Sequence, residues 1–302
     1  MKLNPEFALA SLKEAFHENE SIVGGKKASY IRTLLRLPEV RYASLWLREF
    51  PCQLLTYGKS PGLVPIESAI KPFGALAAME KNRNAYMDIF QHHYKWRSPY
   101  AFNEFPELVE GKLPDPLGNC GAMVTHKFIS HSEVYKLFGR LTGFYPMTDT
   151  ETYLEEVRTA DTNRERLKEL LEKGFIETNI DLEHILQEYT MSCSLLTTVE
   201  QLVYAARILA NFGQDPITGE TILTPINVAS VLGWMSRNGS YDDPGHVLLQ
   251  QLRALKPSVS GLILLIVPGI LSLVLYDPFL NDYGNSKWGM AMVRTLEKKW
   301  LG

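Results

Sequence analysis

The segment VSGLILLIVPGILSLVLY, Val259–Tyr276, has no charged residue in its 18 positions. That length approaches what a helix needs to cross a bilayer. Pro268 and Gly269 interrupt the segment in its middle, and Pro-Gly between two runs of Val, Ile and Leu is typical of a tight turn that joins two buried strands. We therefore predict a β-hairpin here and not a membrane helix.

Two more strands are predicted near the start of the chain, where ASLWLREF (Ala43–Phe50) and CQLLTYG (Cys52–Gly58) are apolar and closely joined. The middle of the chain is mostly helical in pattern. We predict an α+β fold in which an antiparallel sheet, built from both chain ends, is flanked by helices. Residues 1–67 and 220–302 are expected to form the sheet subdomain. Residues 68–219 are expected to form an inserted helical subdomain, with the active site in the cleft between the two.

Two of the predicted helices have specific signals. The segment TTVEQLVYAARILANFG begins with a capping box from Thr197 to Glu200 and ends at Gly213. The closing segment SKWGMAMVRTLEKKW is amphipathic, and we expect it to cover one face of the sheet. Its large apolar residues are Trp288, Met292, Leu296 and Trp300.

The composition is that of a soluble globular protein. Of the 302 residues, 45% are hydrophobic and 22% are charged, and the net charge of -3 gives no reason to expect nucleic acid or a membrane as partner. Three cysteines with no Cys-x-x-Cys spacing argue against disulfides and zinc and fit a reducing compartment. The N-terminal segment lacks the uninterrupted apolar region of a signal peptide, so we expect a cytoplasmic protein.

A Ser-x-x-Lys pair, Ser68 and Lys71, lies within VPIESAIKPFGALAAM, where an extended segment turns into a helical pattern. Residues three apart on a helix share a face. A serine needs a base to act as a nucleophile, and a lysine serves as that base only if burial lowers its pKa. Such a pair also arises by chance in a chain of this length, so the pair alone favours the first turn of an ordinary core helix.

Other polar residues stand in motifs that suit a hydrolase. Asn119 lies in LPDPLGNCGAM, beside small residues that let the backbone approach a ligand, and Tyr189 lies in EYTMSCSLLTT. Glu156 and Asn163 lie in YLEEVRTADTN, two helical turns apart, so that both could face one cleft. Tyr241 lies in SRNGSYDDPG, and the segment KPSVSG precedes the apolar hairpin. Each of these motifs alone is more often structural than functional.

Together these segments resemble one family, the serine-dependent glutaminases, which are β-lactamase-like enzymes that hydrolyse L-glutamine. The resemblance runs from about Gly24 to about Gly289. It rests on short motifs in the family's order: GGKKASYI, ESAIKP, LANFGQDPITGE, GSYDDPG, SVSG, IVPG and DYGNS.

The resemblance implies a set of catalytic roles. Ser68 is expected to attack the side-chain amide of L-glutamine, Lys71 to take its proton, and Tyr241 to act as a second proton-transfer residue. The backbone N–H groups of Ser68 and Val259 are expected to form the oxyanion hole. The reaction passes through a glutamyl-serine ester, releases ammonia, and calls for no metal or organic cofactor.

The resemblance also implies a substrate clamp. Asn119, Asn163 and Tyr189 are expected to donate hydrogen bonds to the α-carboxylate of glutamine. Glu156 and the hydroxyl of Tyr30 are expected to accept from its α-ammonium. The family commonly forms dimers or tetramers, so we expect a homodimer or homotetramer.

The chain departs from the family pattern close to the chemistry. The family usually has Gln before the nucleophile, where this chain has Glu67. That carboxylate could strengthen the hold on the substrate ammonium, or it could pair with Lys71 and keep it charged. In KPSVSG, Pro257 and Ser258 replace Ser and Gly, which leaves Val259 its N–H.

Three hypotheses follow from these observations. The first is an active glutaminase, and the second is an inactive relative that binds glutamine or a partner protein. The third is another Ser-Lys hydrolase, such as a β-lactamase. Against the third, the sequence has no Ser-x-Asn motif paired with a Lys-Thr-Gly element.

Overall fold

The computed structural model describes residues 3–90, 113, 115–238 and 253–301. The strands are β1 (Tyr42–Leu47), β2 (Leu54–Gly58), β3 (Val64–Pro65), β4 (Leu196–Thr197), β5 (Ala254–Pro257), β6 (Leu262–Val267) and β7 (Leu271–Tyr276). The helices are α1 (Pro5–Glu18), α2 (Arg32–Leu35), α3 (Lys71–Met87), α4 (Asn119–Thr125), α5 (His131–Thr142), α6 (Thr150–Arg158), α7 (Asp161–Glu172), α8 (Leu182–Cys193), α9 (Val199–Ala210), α10 (Pro225–Asn238) and α11 (Lys287–Leu301). A 3₁₀ turn, Glu67–Ile70, leads directly into α3.

Five strands form the main sheet, in the order β2-β1-β7-β6-β5, and all neighbours are antiparallel. Strands β6 and β7 form the predicted hairpin, and Val267 pairs with Leu271 across its turn. Gly269 in this turn has a φ of 76°, a conformation that costs glycine little. The α+β prediction with an antiparallel sheet from both chain ends is confirmed. Among the described residues, no helix is both long and apolar enough to cross a membrane.

Strands β1, β6 and β7 are buried on both faces, and their successive residues divide between two cores. Ile263 and Leu265 of β6 face one core, and Leu262 and Leu264 face the other. This division follows from the two-residue period of a strand. The first core also contains α1 and the predicted apolar face of α11: Trp288, Met292, Leu296 and Trp300. Full burial of one such side chain contributes about 1.5–3 kcal/mol, so both faces of the hairpin hold the sheet in place.

Helix α9 packs on the second face of the sheet, against β1, β6 and β7. Its capping box is one residue later than predicted, since Thr198 accepts from the N–H of Gln201 and Gln201 accepts from the N–H of Thr198. Thr197 is taken up in β4, where it pairs with Val64. Glu200, the other predicted box residue, accepts a hydrogen bond from the Tyr42 hydroxyl instead. The predicted boundary of the helical subdomain at residue 219 stays a prediction.

Candidate active site

A pocket of ≈ 240 Å³ opens where the 3₁₀ turn, α4, α6, α7 and α8 meet. It brings together eight residues that the sequence predicted: Tyr30, Glu67, Ser68, Asn119, Glu156, Asn163, Tyr189 and Val259. Four lining residues were not predicted as site residues: Thr159, Ala160, Thr162 and Thr190. Of the other predicted residues, Lys71 lies just behind the pocket wall, and Tyr241 lies outside the described residues.

The segment before Ser68 is held by hydrogen bonds to two other parts of the protein. The N–H of Ile66 donates to the carbonyl of Leu195 at 2.8 Å. The carbonyl of Ile66 accepts from the hydroxyl of Ser258 at 2.9 Å. Ser258 is one of the residues that depart from the family pattern, and its hydroxyl ties the loop after β5 to the nucleophile segment. The two parts of the pocket are therefore held in register.

Glu67 has a positive φ of 50°, which is rare for a residue with a side chain. A non-glycine residue in this region costs on the order of 1–3 kcal/mol, and such strain is concentrated at functional sites. Glu67 follows Ile66, which already has helical backbone angles, and it begins the turn that carries Ser68. The sequence did not predict this left-handed conformation, because no residue near Glu67 is of a type that favours it.

Two backbone donors are available beside the Ser68 side chain. In the described part of the chain, no turn or loop hydrogen bond to a backbone carbonyl uses the N–H group of Ser68 or Val259. Val259 sits in a tight turn in which the N–H of Gly261 donates to the carbonyl of Ser258 at 3.0 Å. Gly261 has a φ of 93°, and a Cβ there would lie 2.4 Å from the carbonyl of Asp277, so only glycine fits. This turn brings Val259 to the pocket that Ser68 also lines.

Lys71 is 3% exposed, and its amine contacts two pocket-lining residues. Its Nζ donates to Asn119 Oδ1 at 2.5 Å and lies 5.8 Å from the ring centroid of Tyr189. Among the described residues, no hydrogen bond joins Lys71 to Ser68 and no ion pair joins it to Glu67. Burial lowers the pKa of Lys71 to about 8, so that about a tenth of this amine is neutral at pH 7.

The Asn119 side chain is oriented by its neighbours. Its Oδ1 accepts from Lys71 and from the Tyr189 hydroxyl, the latter at 3.1 Å. Its Nδ2 lies 3.5 Å from Asn163 Oδ1. With Oδ1 occupied by donors, the N–H groups of the amide are directed to the Asn163 side of the pocket. Burial raises the pKa of the adjacent Cys120 thiol to about 12, so that it is neutral.

Glu156 and Asn163 do not share one helix, contrary to the prediction. Helix α6 ends at Arg158 and α7 begins at Asp161, so a break separates the two residues. Both still line the pocket, because the chain turns around it at Ala160. Glu156 is half-buried, and its removal from water raises the pKa of its carboxyl to about 7.

A second buried lysine lies near the first. Lys256 in β5 is 0% exposed, and its Nζ lies 3.4 Å from the carbonyl of Pro257. Burial, and then the charge of Lys71, lowers the pKa of Lys256 well below its usual range. Sequence reasoning did not select Lys256, although a lysine followed by Pro-Ser before a buried hairpin was a signal available to it. Within the described ranges, no group of three or more His, Cys, Asp or Glu residues could hold a metal ion.

Comparisons with known proteins give a consistent result. A family model described as Glutaminase matches residues 25–301. The glutaminase of Aliarcobacter butzleri is 28% identical over 292 residues, which cover 92% of each chain. The mitochondrial liver isoform of glutaminase from Rattus norvegicus is 27% identical over 293 residues, 93% of this chain. The chain spans only 48% of the length of that rat protein.

Solved structures agree with the sequence matches. The structure of a probable glutaminase, ybaS, superposes with a TM-score of 0.86 at 25% identity, covering 98% of this chain and 97% of the other. A crystal structure of Mglu in its tris and glutamate form also superposes with a TM-score of 0.86 at 25% identity. That match covers 100% of this chain and 67% of Mglu.

Proposed function

Because this chain belongs to the glutaminase family and has its β-lactamase-like fold, we propose that it hydrolyses L-glutamine to L-glutamate and ammonia. The observation that carries the proposal is the single pocket in which eight predicted site residues meet. The walls of that pocket offer a nucleophile, backbone donors, neutral amides and carboxyl groups. These are the groups that the chemistry of a free amino acid amide requires.

In this mechanism, the hydroxyl of Ser68 attacks the side-chain carbonyl carbon of glutamine while Lys71 in its neutral form takes the proton. The carbonyl oxygen becomes negative, and the N–H groups of Ser68 and Val259 stabilise it. One such donor typically contributes about 2.7–4 kcal/mol to transition-state stabilisation. The proton then passes to the amide nitrogen, which leaves as ammonia, and Ser68 is left as a glutamyl ester.

Water then attacks the ester carbonyl, and the freed Ser68 hydroxyl regains its proton. Lys71 can serve both steps because a pKa of about 8 lets it exchange a proton near neutral pH. Its present bond to Asn119 does not argue against this role, since catalytic hydrogen bonds often form only in the substrate complex. Tyr241 stays a predicted second proton-transfer residue, to be tested by Tyr241→Phe.

The remaining pocket residues suit the two charged groups of a free amino acid. The Asn119 and Asn163 amides are neutral donors for the α-carboxylate, and the Tyr189 hydroxyl joins them when it turns from Asn119 Oδ1 to the substrate. Glu156 and the hydroxyl of Tyr30 are acceptors for the α-ammonium. Tyr30 is 50% exposed, so it stands at the pocket mouth. A pocket of ≈ 240 Å³ suits a single small molecule, which favours free glutamine over a peptide.

The proposal is tested by following ammonia and glutamate release from L-glutamine, with L-asparagine as the control substrate. Ser68→Ala is expected to abolish release, and Ser60→Ala, at an exposed serine, is expected to leave it unchanged. Glutamine binding in a calorimeter without turnover would favour the inactive relative instead. Hydrolysis of a chromogenic β-lactam without action on glutamine would favour a different Ser-Lys hydrolase.

We also propose that the protein acts in the cytoplasm as a homodimer or homotetramer, with L-glutamine as its small-molecule ligand and without nucleic acid or membrane as partner. Light scattering after size-exclusion chromatography measures the oligomeric state. Cell fractionation with an antibody against the chain measures the location. A monomer, or a signal confined to the membrane fraction, would contradict these proposals.

A further inference from the structure

The Glu67 carboxyl lies inside the pocket wall without the partners that a buried carboxylate needs. The residue is 3% exposed, and within the described part of the chain its Oε1 has no hydrogen-bond partner. No described lysine or arginine lies within ion-pair distance of it, and the amine of Lys71 is directed at Asn119. A buried anion with neither a cation nor a full set of donors is costly.

The group that Glu67 does meet is another carboxyl. Glu156, on α6, lines the same pocket as Glu67, and its charge acts on the Glu67 carboxyl. Two ionised carboxylates in one largely buried pocket repel each other, so one of them keeps its proton. The other ionisable groups facing Glu67 are Lys71 from α3, Asp149 at the start of α6 and Cys193 from α8. Of these only Lys71 favours ionisation of Glu67, and Asp149 opposes it.

We propose that Glu67 is held as a neutral carboxylic acid whose O–H donates a hydrogen bond to the carboxylate of Glu156. In this role Glu67 is a positioning residue: its O–H fixes one oxygen of Glu156, and the rest of that carboxylate is left to bind the substrate ammonium. A neutral carboxylic acid has one donor and one acceptor in the shape of a primary amide. The pair therefore carries one negative charge, which matches the one positive charge of the substrate ammonium.

The pKa values agree in direction with this geometry. Burial, followed by the charge of Glu156, raises the pKa of Glu67 well above its usual range, and that of Glu156 is raised to about 7. Above pH 7, Glu156 is thus the ionised member and Glu67 the protonated one. At more alkaline pH, Glu67 also ionises, and the two carboxylates repel each other and no longer hold one geometry.

This inference rests on the proposed glutaminase activity for its kinetic test. We expect Glu67→Gln to keep kcat/KM for glutamine within about threefold of wild type at pH 8, since the amide replaces one neutral donor by another. At alkaline pH, the wild-type KM is expected to rise, and that of Glu67→Gln is expected to rise later or not at all. Comparing the two proteins at equal pH cancels the titration of the substrate amine, which is the same for both.

Two further variants separate positioning from a general need for side-chain bulk. Glu67→Leu removes the donor, and its KM is expected to increase at least tenfold while kcat changes less. Glu49→Gln, at an exposed position in the loop after β1, is the matched control and is expected to keep the wild-type pH profile. Thermal unfolding of each variant confirms that it is folded.

A readout independent of activity decides the same point. Infrared spectra of wild type and Glu67→Gln are compared at pH 8. The wild-type spectrum is expected to show the C=O band of one buried protonated carboxyl, and the Glu67→Gln spectrum is expected to lack it. A wild-type protein that shows this band but does not hydrolyse glutamine would defeat the proposed function and leave Glu67 protonated as inferred. Absence of the band, identical pH profiles for the two proteins, or a hundredfold loss of turnover in folded Glu67→Gln would overturn the inference.

Discussion

Replacing Lys71 by methionine should separate catalysis from stability. The burial that lets this lysine act as a base also makes its charged form destabilise the folded protein. Methionine has nearly the same length and lacks the amine. The matched control is Lys81→Met, because Lys81 lies on the same helix but its side chain is 54% exposed and pairs with Glu133 at the surface. Lys71→Arg adds a third case, since a guanidinium cannot give up its proton in a protein.

The magnitudes follow from the pKa of about 8 that burial gives Lys71. At pH 7 about 9% of such an amine is neutral, whereas a lysine with its ordinary pKa of 10.5 is neutral to about 0.03%, a difference of roughly 300-fold. Lowering the Lys71 pKa from 10.5 to about 8 reduces the free energy of unfolding at pH 7 by about 3 kcal/mol. Between pH 8 and 10.5 the unfolded chain binds this proton and the folded protein does not, so wild-type stability recovers as the pH rises.

We therefore expect Lys71→Met to be inactive. Its free energy of unfolding at pH 7 should exceed that of wild type by up to about 3 kcal/mol, reduced by the contribution of the lost hydrogen bond to Asn119. Urea unfolding at pH 7 and pH 10 measures this difference, which should shrink at pH 10. Wild-type kcat should rise about tenfold per pH unit below pH 8 and then level off. Full activity in Lys71→Arg, or a Lys71→Met protein less stable than wild type at pH 7, would refute this reasoning.

Three other predictions concern the groups around the nucleophile. Val259→Pro removes one proposed oxyanion donor and should lower kcat by about 10²–10³, whereas Val259→Ala should lower it little; equal kcat in the two variants would remove the backbone N–H from the mechanism. Asn119→Ala should raise the KM for glutamine. It should also move the pH at which kcat levels off below 8, because the Lys71 amine loses the acceptor that stabilises its charge. Ser258→Ala deletes the bond to the Ile66 carbonyl and should cost about 1 kcal/mol in urea unfolding, together with a lower kcat; an unchanged kcat would show that this fastening is not needed for catalysis.

Local pattern was enough to predict the sheet. The uncharged run around Pro268 and Gly269 contains both the strand signal and the turn signal, so the hairpin follows from residues that are neighbours in sequence. The closing helix was predictable for the same reason, since the residues of its apolar face all lie within one short segment of sequence. The capping box was misplaced by one residue because Thr197 and Thr198 are equivalent to a local rule. Only the pairing of Thr197 with Val64 decides between them.

The pocket was predictable as a set of residues but not as a geometry. The resemblance to the glutaminases selected the residues that line the pocket, and each was named without knowledge of its contacts. The bond of Lys71 to Asn119 joins positions 48 residues apart. The position of Glu67 relative to Glu156 depends on how the 3₁₀ turn and α6 each pack against α8. Such contacts depend on the whole fold, so the sequence left open whether Glu67 faces Lys71 or the substrate. In the structure it meets Glu156.

The most direct test is to identify the covalent intermediate on Ser68. Enzyme mixed with L-glutamine and quenched in acid within its first turnovers should gain the mass of glutamine less ammonia. Peptide mapping should place that group on Ser68, and Ser68→Ala should gain nothing and release no ammonia. Steady ammonia release from Ser68→Ala, or turnover by wild type with the glutamyl group on another residue, would contradict the account.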